Sequence, residues 1–157
     1  MLARDVMKTR VLTAAPEQNL EDALAVMRSH KLRMLPVVNA DKQLCGAIST
    51  INILRRLLPD YILSGALGDV AYAPDIAVLP EHYARIIGQQ VADVMDRHPL
   101  VVQEDESLLA VSASLAADEQ QHLYALVVDE DNHLCGIISP GDILDHFRRL
   151  HLSNGKV

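Results

Sequence analysis

His133–Leu144 reads HLCGIISPGDIL, and Gln43–Leu54 reads QLCGAISTINIL. The two stretches align without a gap and are identical at seven of twelve positions. Each begins as a short apolar strand and reaches a serine. Two spacers later it presents a carboxylate (Asp142) or an amide (Asn52), and an apolar helix starts. A strand that delivers Ser-x-x-Asp/Asn to a helix N-terminus sets unpaired backbone N–H groups and a short polar side chain at the positive end of the helix dipole. That geometry suits a small anionic or polyhydroxyl ligand. It equally suits helix capping, with Ser139 at the N-cap, Pro140 at N1 and an acid at N3, and Ser49 to Asn52 can do the same with less charge.

The repetition extends outward from these stretches. Upstream lie Met34–Val38 (MLPVV) and Tyr124–Val128 (YALVV), short and continuously apolar, as expected of strands covered on both faces. Polar turns, Asn39–Lys42 and Asp129–Asn132, join each to the next strand and predict a hairpin. Further upstream, Asn19 and Ser107 are helix N-caps. Leu20, Ala23, Leu24 and Met27 follow the first at helical spacing, and Leu108, Val111 and Leu115 follow the second. Before these come apolar strands, Val11–Thr13 and Leu100–Val102, and two related lead-ins, Ala3–Arg10 (ARDVMKTR) and Val91–His98 (VADVMDRH). Each repeat thus reads strand-helix-strand-strand-helix. The fold class is α/β (α+β), with two β-α-β-β-α repeats packed together, since neither buries its helices and sheet alone.

The boundaries predicted are 1–58 for the first repeat, 59–90 for an insert with two short helices, 91–152 for the second repeat and 153–157 for a flexible tail. The insert reads as a linker packed on the flank or, alternatively, as a partner surface or a lid over the ligand site.

Composition narrows the function. The 157 residues carry a net charge of −7, with one Phe, four Tyr and no Trp. Such a chain lacks the cationic field and stacking surface of nucleic-acid binders, and is poorly matched to an anionic membrane. No apolar run approaches the length of a membrane span, and the first residues do not form a signal peptide. Cys45 and Cys135 occupy equivalent mid-strand positions and read as buried free thiols, which fits the cytoplasm. The seven histidines show no zinc-site spacing, and there is no nucleophile–base constellation, so neither a metal site nor an enzyme is expected.

The doubled pattern resembles a pair of cystathionine β-synthase (CBS) domains, a Bateman module. It rests on Leu35-Pro36-Val37-Val38, Gly46-Ala47-Ile48-Ser49, Gly136-Ile137-Ile138-Ser139, and the Asn52 and Asp142 positions. The resemblance implies pseudo-twofold symmetry, clefts between repeats for an adenosine-type ligand (AMP, ADP, ATP or S-adenosylmethionine), a homodimer, and regulation of a partner that the motifs do not name. On that basis Asp142 grips the ribose hydroxyls, Ser139 supplies a hydroxyl to phosphate, and Gly141 clears space for the ligand. Ser49 and Asn52 form a weaker counterpart. Arg33, replaced by Leu123 in the second repeat, faces the phosphates, and Arg10 and His98 lie at matching points near the cleft. No resident cofactor is implied. The alternative is a non-catalytic scaffold with empty clefts that meets its partner through residues 59–90.

Overall fold

The computed structural model describes residues 1–64, 78–119 and 122–154. In chain order these form a 3-10 turn (Ala3–Asp5), α1 (Leu20–Ser29), β1 (Met34–Val38), β2 (Leu44–Ser49), α2 (Thr50–Leu57), α3 (Asp60–Leu63), α4 (Val78–Ile87) and α5 (Val91–Val94). The second repeat continues with β3 (Val101–Gln103), α6 (Leu108–Ala117), β4 (Ala125–Val128), β5 (Leu134–Ile138) and α7 (Pro140–Asn154). The mixed α/β class expected from the sequence is the one observed.

The second repeat realises its predicted order in full. β3 pairs in parallel with β4, and β4 pairs antiparallel with β5. In the first repeat the strand expected over Val11–Thr13 does not form, and only an isolated parallel bridge, Ala14 to Val37, remains. Pro36 explains the difference. At the equivalent position Leu126 donates its N–H to the Leu100 carbonyl at 2.8 Å; proline has no N–H to give, and the ladder stops.

The caps are where the sequence puts them. Asn19 accepts from the Glu21 N–H at 2.8 Å, and Ser107 from the Ala110 N–H at 3.2 Å. Both hairpin turns are Asx turns. Asn39 Oδ1 accepts from the amides of Asp41 and Gln43, and Asp129 Oδ1 from those of Asp131 and His133. Each ends on a residue in the left-handed region, Lys42 (φ 62°) or Asn132 (φ 66°). In the second turn these bonds, with the His133 ring, hold the Asp129 carboxyl below its ordinary range.

The chain divides into two compact units, and neither is a sequence repeat. Unit one comprises Met1–Leu12, Val38–Leu44 and His98–Val157; unit two comprises Thr13–Val37 and Cys45–Arg97. The lead-ins are exchanged. Ala3 joins Val102, Val111, Val127 and Ile138 in the core of unit one. Val91, Val94 and Met95 join Leu20, Met27, Leu35 and Ile48 in the core of unit two. Each fully buried Leu, Ile or Met side chain contributes about 1.5–3 kcal/mol.

Glycine makes both exchanges possible. Lys8 and Ile137 trade backbone bonds at 2.9 and 3.0 Å, and Ala47 and Asp96 do so at 2.9 and 2.8 Å. A Cβ on Gly136 would stand 2.7 Å from the Lys8 carbonyl oxygen, and one on Gly46 would overlap the Asp96 carbonyl oxygen. Only a residue without a side chain lets the lead-in come this close.

Within unit one the two hairpin turns also meet. Leu44 N–H donates to the Asn132 carbonyl at 2.9 Å, and Asn132 Nδ2 to the Leu44 carbonyl at 3.1 Å. Within unit two the insert contributes α4, which packs on α1 and α2 and buries Ile86. The helix expected over Glu81–Ile87 begins earlier, at Val78. The first insert helix, expected over Asp60–Leu67, is described over Asp60–Leu63, and Gly65, Gly68, Tyr72 and Pro74 lie outside the described residues.

Two further expectations change. Ser153 and Asn154, placed in the tail, are the last residues of α7. On that helix Ile143 is buried, whereas Leu144, Phe147 and Leu150 are exposed. The cysteines are free and half-buried, less enclosed than expected. Burial, ahead of the nearby Asp129 and Glu104 charges, pushes the Cys135 thiol up. Among the described residues no helix is long and apolar enough to cross a membrane.

Candidate functional site

In unit one, β5 ends at Ile138 and hands Ser139 to the start of α7. The Ser139 Oγ accepts from the Asp142 N–H at 3.2 Å. In return Asp142 Oδ2 accepts from the Ser139 N–H at 2.9 Å and from the Ser139 hydroxyl at 2.7 Å. This is a reciprocal capping box. The other oxygen, Oδ1, lies 2.6 Å from Lys8 Nζ. The Asp142 side chain is only 12% exposed, while that of Lys8 is 66% exposed.

Partial burial disfavours the Asp142 charge. The hydrogen bonds from Lys8, from the Ser139 hydroxyl and from the Ser139 amide outweigh it, and the carboxyl is held below its ordinary range. Lys8 is shifted upward, first by its bond to Asp142.

Gly141 sits exposed in the first turn of α7. A Cβ there would meet only Ser139 Oγ, at 3.6 Å, an ordinary contact. Packing within the chain therefore does not demand this glycine. Arg10 is exposed on the same extended segment as Lys8, and His98, also exposed, opens the return of the chain into unit one. Neither bonds to Asp142, whose partners are Ser139 and Lys8.

In unit two the equivalent turn is built from Ser49 and Asn52. Ser49 Oγ donates to Asn52 Oδ1 and accepts from the Asn52 N–H at 3.2 Å. Ser49 is buried and Asn52 half-buried. The Thr50 N–H donates to the Arg33 carbonyl at 3.0 Å, which fixes Arg33 beside the first turn of α2. Pro140 replaces Thr50 in unit one, so that bond has no donor there. Arg33 is exposed and makes no ion pair among the described residues.

The sequence-predicted residues thus fall into two groups: Ser139, Gly141 and Asp142, with Arg10 and His98, in unit one, and Arg33, Ser49 and Asn52 in unit two. Sequence reasoning missed Lys8. A signal was present, since the aligned lead-ins carry Lys8 against Asp96 while the aligned helix starts carry Asp142 against Asn52. Among the described residues no group of three or more His, Cys, Asp or Glu side chains is placed to hold a metal.

Two strand-turn-helix sites with matching serines thus recur in a doubled chain whose first repeat lacks only its opening strand. The CBS domain family model matches residues 3–59 and 91–149, and the chain belongs to that family. It is 25% identical over 154 residues to the uncharacterized protein MJ1426 of Methanocaldococcus jannaschii, covering 92% of this chain and 90% of that protein. It is 27% identical over 136 residues to CBSX2, a chloroplastic CBS domain-containing protein of Arabidopsis thaliana. That match covers 82% of this chain and 55% of CBSX2, so the chain spans about half of that relative. The crystal structure of CBSX2 in complex with AMP has the same fold, with a TM-score of 0.72 at 24% identity over 96% of this chain and 98% of that one. A CBS domain-containing protein from Bacillus anthracis matches with a TM-score of 0.74 at 22% identity, over 95% and 94% of the two chains.

Proposed function

We propose that this chain is a regulatory module that binds an adenosine-type nucleotide at the start of α7. Asp142 takes the ribose hydroxyls, Ser139 and the Gly141 amide face the phosphate, and the missing Gly141 side chain leaves room for the ligand. The observation that carries this reading is the convergence of Ser139, Asp142 and Lys8 on one helix start beside a glycine that internal packing does not require. Support from outside the chain is that CBSX2, which shares the fold, was solved with AMP. Arg33, Ser49 and Asn52 form a second, weaker site, in which an amide replaces the carboxylate and charge-assisted bonding is lost. Arg10 and His98 flank the first site. The nucleotide acts as a regulatory ligand; the module is not an enzyme. It works as a cytoplasmic homodimer that passes the ligand's differential affinity for two arrangements to a partner protein. The exposed row Leu144, Phe147 and Leu150 on α7 supports the homodimer.

Thermal unfolding with AMP, ADP, ATP, NAD and S-adenosylmethionine tests the reading, with light scattering on the same sample. At a ligand concentration of about 100 Kd the protein gains about 2.7 kcal/mol and melts several degrees higher. Asp142→Ala removes that shift, whereas Asn52→Ala leaves most of it. A flat panel on a folded dimer defeats the nucleotide reading. It favours the scaffold alternative, in which Ser139 and Asp142 serve only as a cap and partner capture depends on residues 59–90.

A further inference from the structure

We propose that Lys8 is an exchangeable counter-ion that makes the Asp142 site prefer phosphorylated ribosyl ligands to uncharged ones. The inference rests on the reading that Asp142 grips a ribose, and adds what selects the ligand. Oxygen Oδ2 of Asp142 is already filled by the two Ser139 donors. A carboxylate oxygen accepts about two hydrogen bonds, so Oδ1 is the oxygen with capacity left. Lys8 Nζ stands on that oxygen at 2.6 Å. A hydroxyl pair approaching the carboxylate therefore meets the ammonium first.

The geometry lets the head move and not the stem. The Lys8 backbone is clamped to Ile137 by two bonds, at 2.9 and 3.0 Å. The side chain beyond it is 66% exposed. Tyr124 and Asp145 are the other titratable groups near the ammonium, and neither forms an ion pair with it. When a neutral nucleoside displaces Lys8, the ammonium loses its anion and gains none. A ribose phosphate brings a replacement anion within the swing of the same side chain, so the charge-assisted bond is re-formed. Asp96 holds the matching position in unit two, so this device belongs to unit one alone.

Calorimetric titration of the full chain with adenosine and with AMP, on the wild type, Lys8→Met and Lys8→Arg, is the test. The wild type prefers AMP. Lys8→Met binds adenosine up to about fivefold tighter, because the competing ion pair is gone. Its preference for AMP drops by about tenfold. Lys8→Arg retains the preference. If Lys8→Met binds both compounds with the wild-type ratio, Lys8 is a surface ion pair only and the inference falls while the nucleotide reading survives. Adenosine binding gained by Lys8→Met in the absence of wild-type binding supports the inference. Silence from all three chains removes both. Should Lys8→Met fail to fold, Lys8→Gln takes its place.

Discussion

Two helices in this chain start on the same serine, and their first turns differ in almost every charge. In unit one the turn holds a carboxylate, paired with a lysine from the lead-in, next to a proline that has no N–H to give. In unit two it holds an amide, the lead-in offers an aspartate, and a threonine N–H ties down an exposed arginine. Each unit has a cation near its helix start, but from a different place: Lys8 in one, Arg33 in the other. Duplication supplied the scaffold twice, and side-chain substitution set two electrostatic environments upon it. The carboxylate site begins satisfied, with Ser139 and Lys8 as its partners. The amide site begins neutral, and Arg33, held beside it through its carbonyl, makes no ion pair among the described residues.

The sharpest way to break this comparison is to attack what the two units share. Gly136→Ala and Gly46→Ala each drive a Cβ into a lead-in carbonyl and cost about 1–3 kcal/mol, read from urea unfolding. If either is neutral, the close approach is not what that glycine serves.

A smaller effect comes from making the units alike. Asp142 has a lowered pKa, so its stabilisation is fully present above the unfolded value of 3.8 and is lost as pH falls through the folded value. Lys8 has the opposite sign. Its share is complete below 10.5 and is lost as pH rises through its raised value. Asp142→Asn gives unit one the amide of unit two. It is less stable than the wild type by about 1–2 kcal/mol at pH 7, and the difference shrinks toward pH 3. Unfolding midpoints across pH 3–7 that run parallel would show that Asp142 is not the source of this acid limb. The smallest effect is a gain. Gly141→Ala lies in helix, meets only ordinary contacts, and stabilises by about 0.5–1 kcal/mol while weakening AMP binding. Unchanged binding would show that the ligand does not pass over residue 141.

Much of this was legible in the sequence, because element order follows from local rules. Periodicity and capping residues placed α1 and α6, and polar turns placed the two hairpins. Ser139 and Asp142 announced their helix start. What escaped was non-local. Val11–Thr13 looks like a strand until Pro36 is considered as the neighbour that should bond to it. Nothing within Ala3–Arg10 says that it completes the core around Ile138 and not the one around Ile48. Lys8 was hidden for the same reason: 134 residues separate it from Asp142, and only the lead-in exchange brings them together. Leu144 and Phe147 were apolar and at helical spacing, yet they face outward, since periodicity marks a face without saying what covers it.

The exchanged lead-ins also bear on how the protein is made. Met1–Leu12 leave the ribosome well before the strand they join, Leu134–Ile138. All of unit two has been synthesised once Arg97 is out; unit one still lacks residues 98–157 at that point. Residues 1–12 therefore wait more than a hundred residues for their docking edge, and the sequence separation of the contact slows closure when that edge arrives. Nascent chains stalled before Ile137 lack the backbone partner that clamps Lys8.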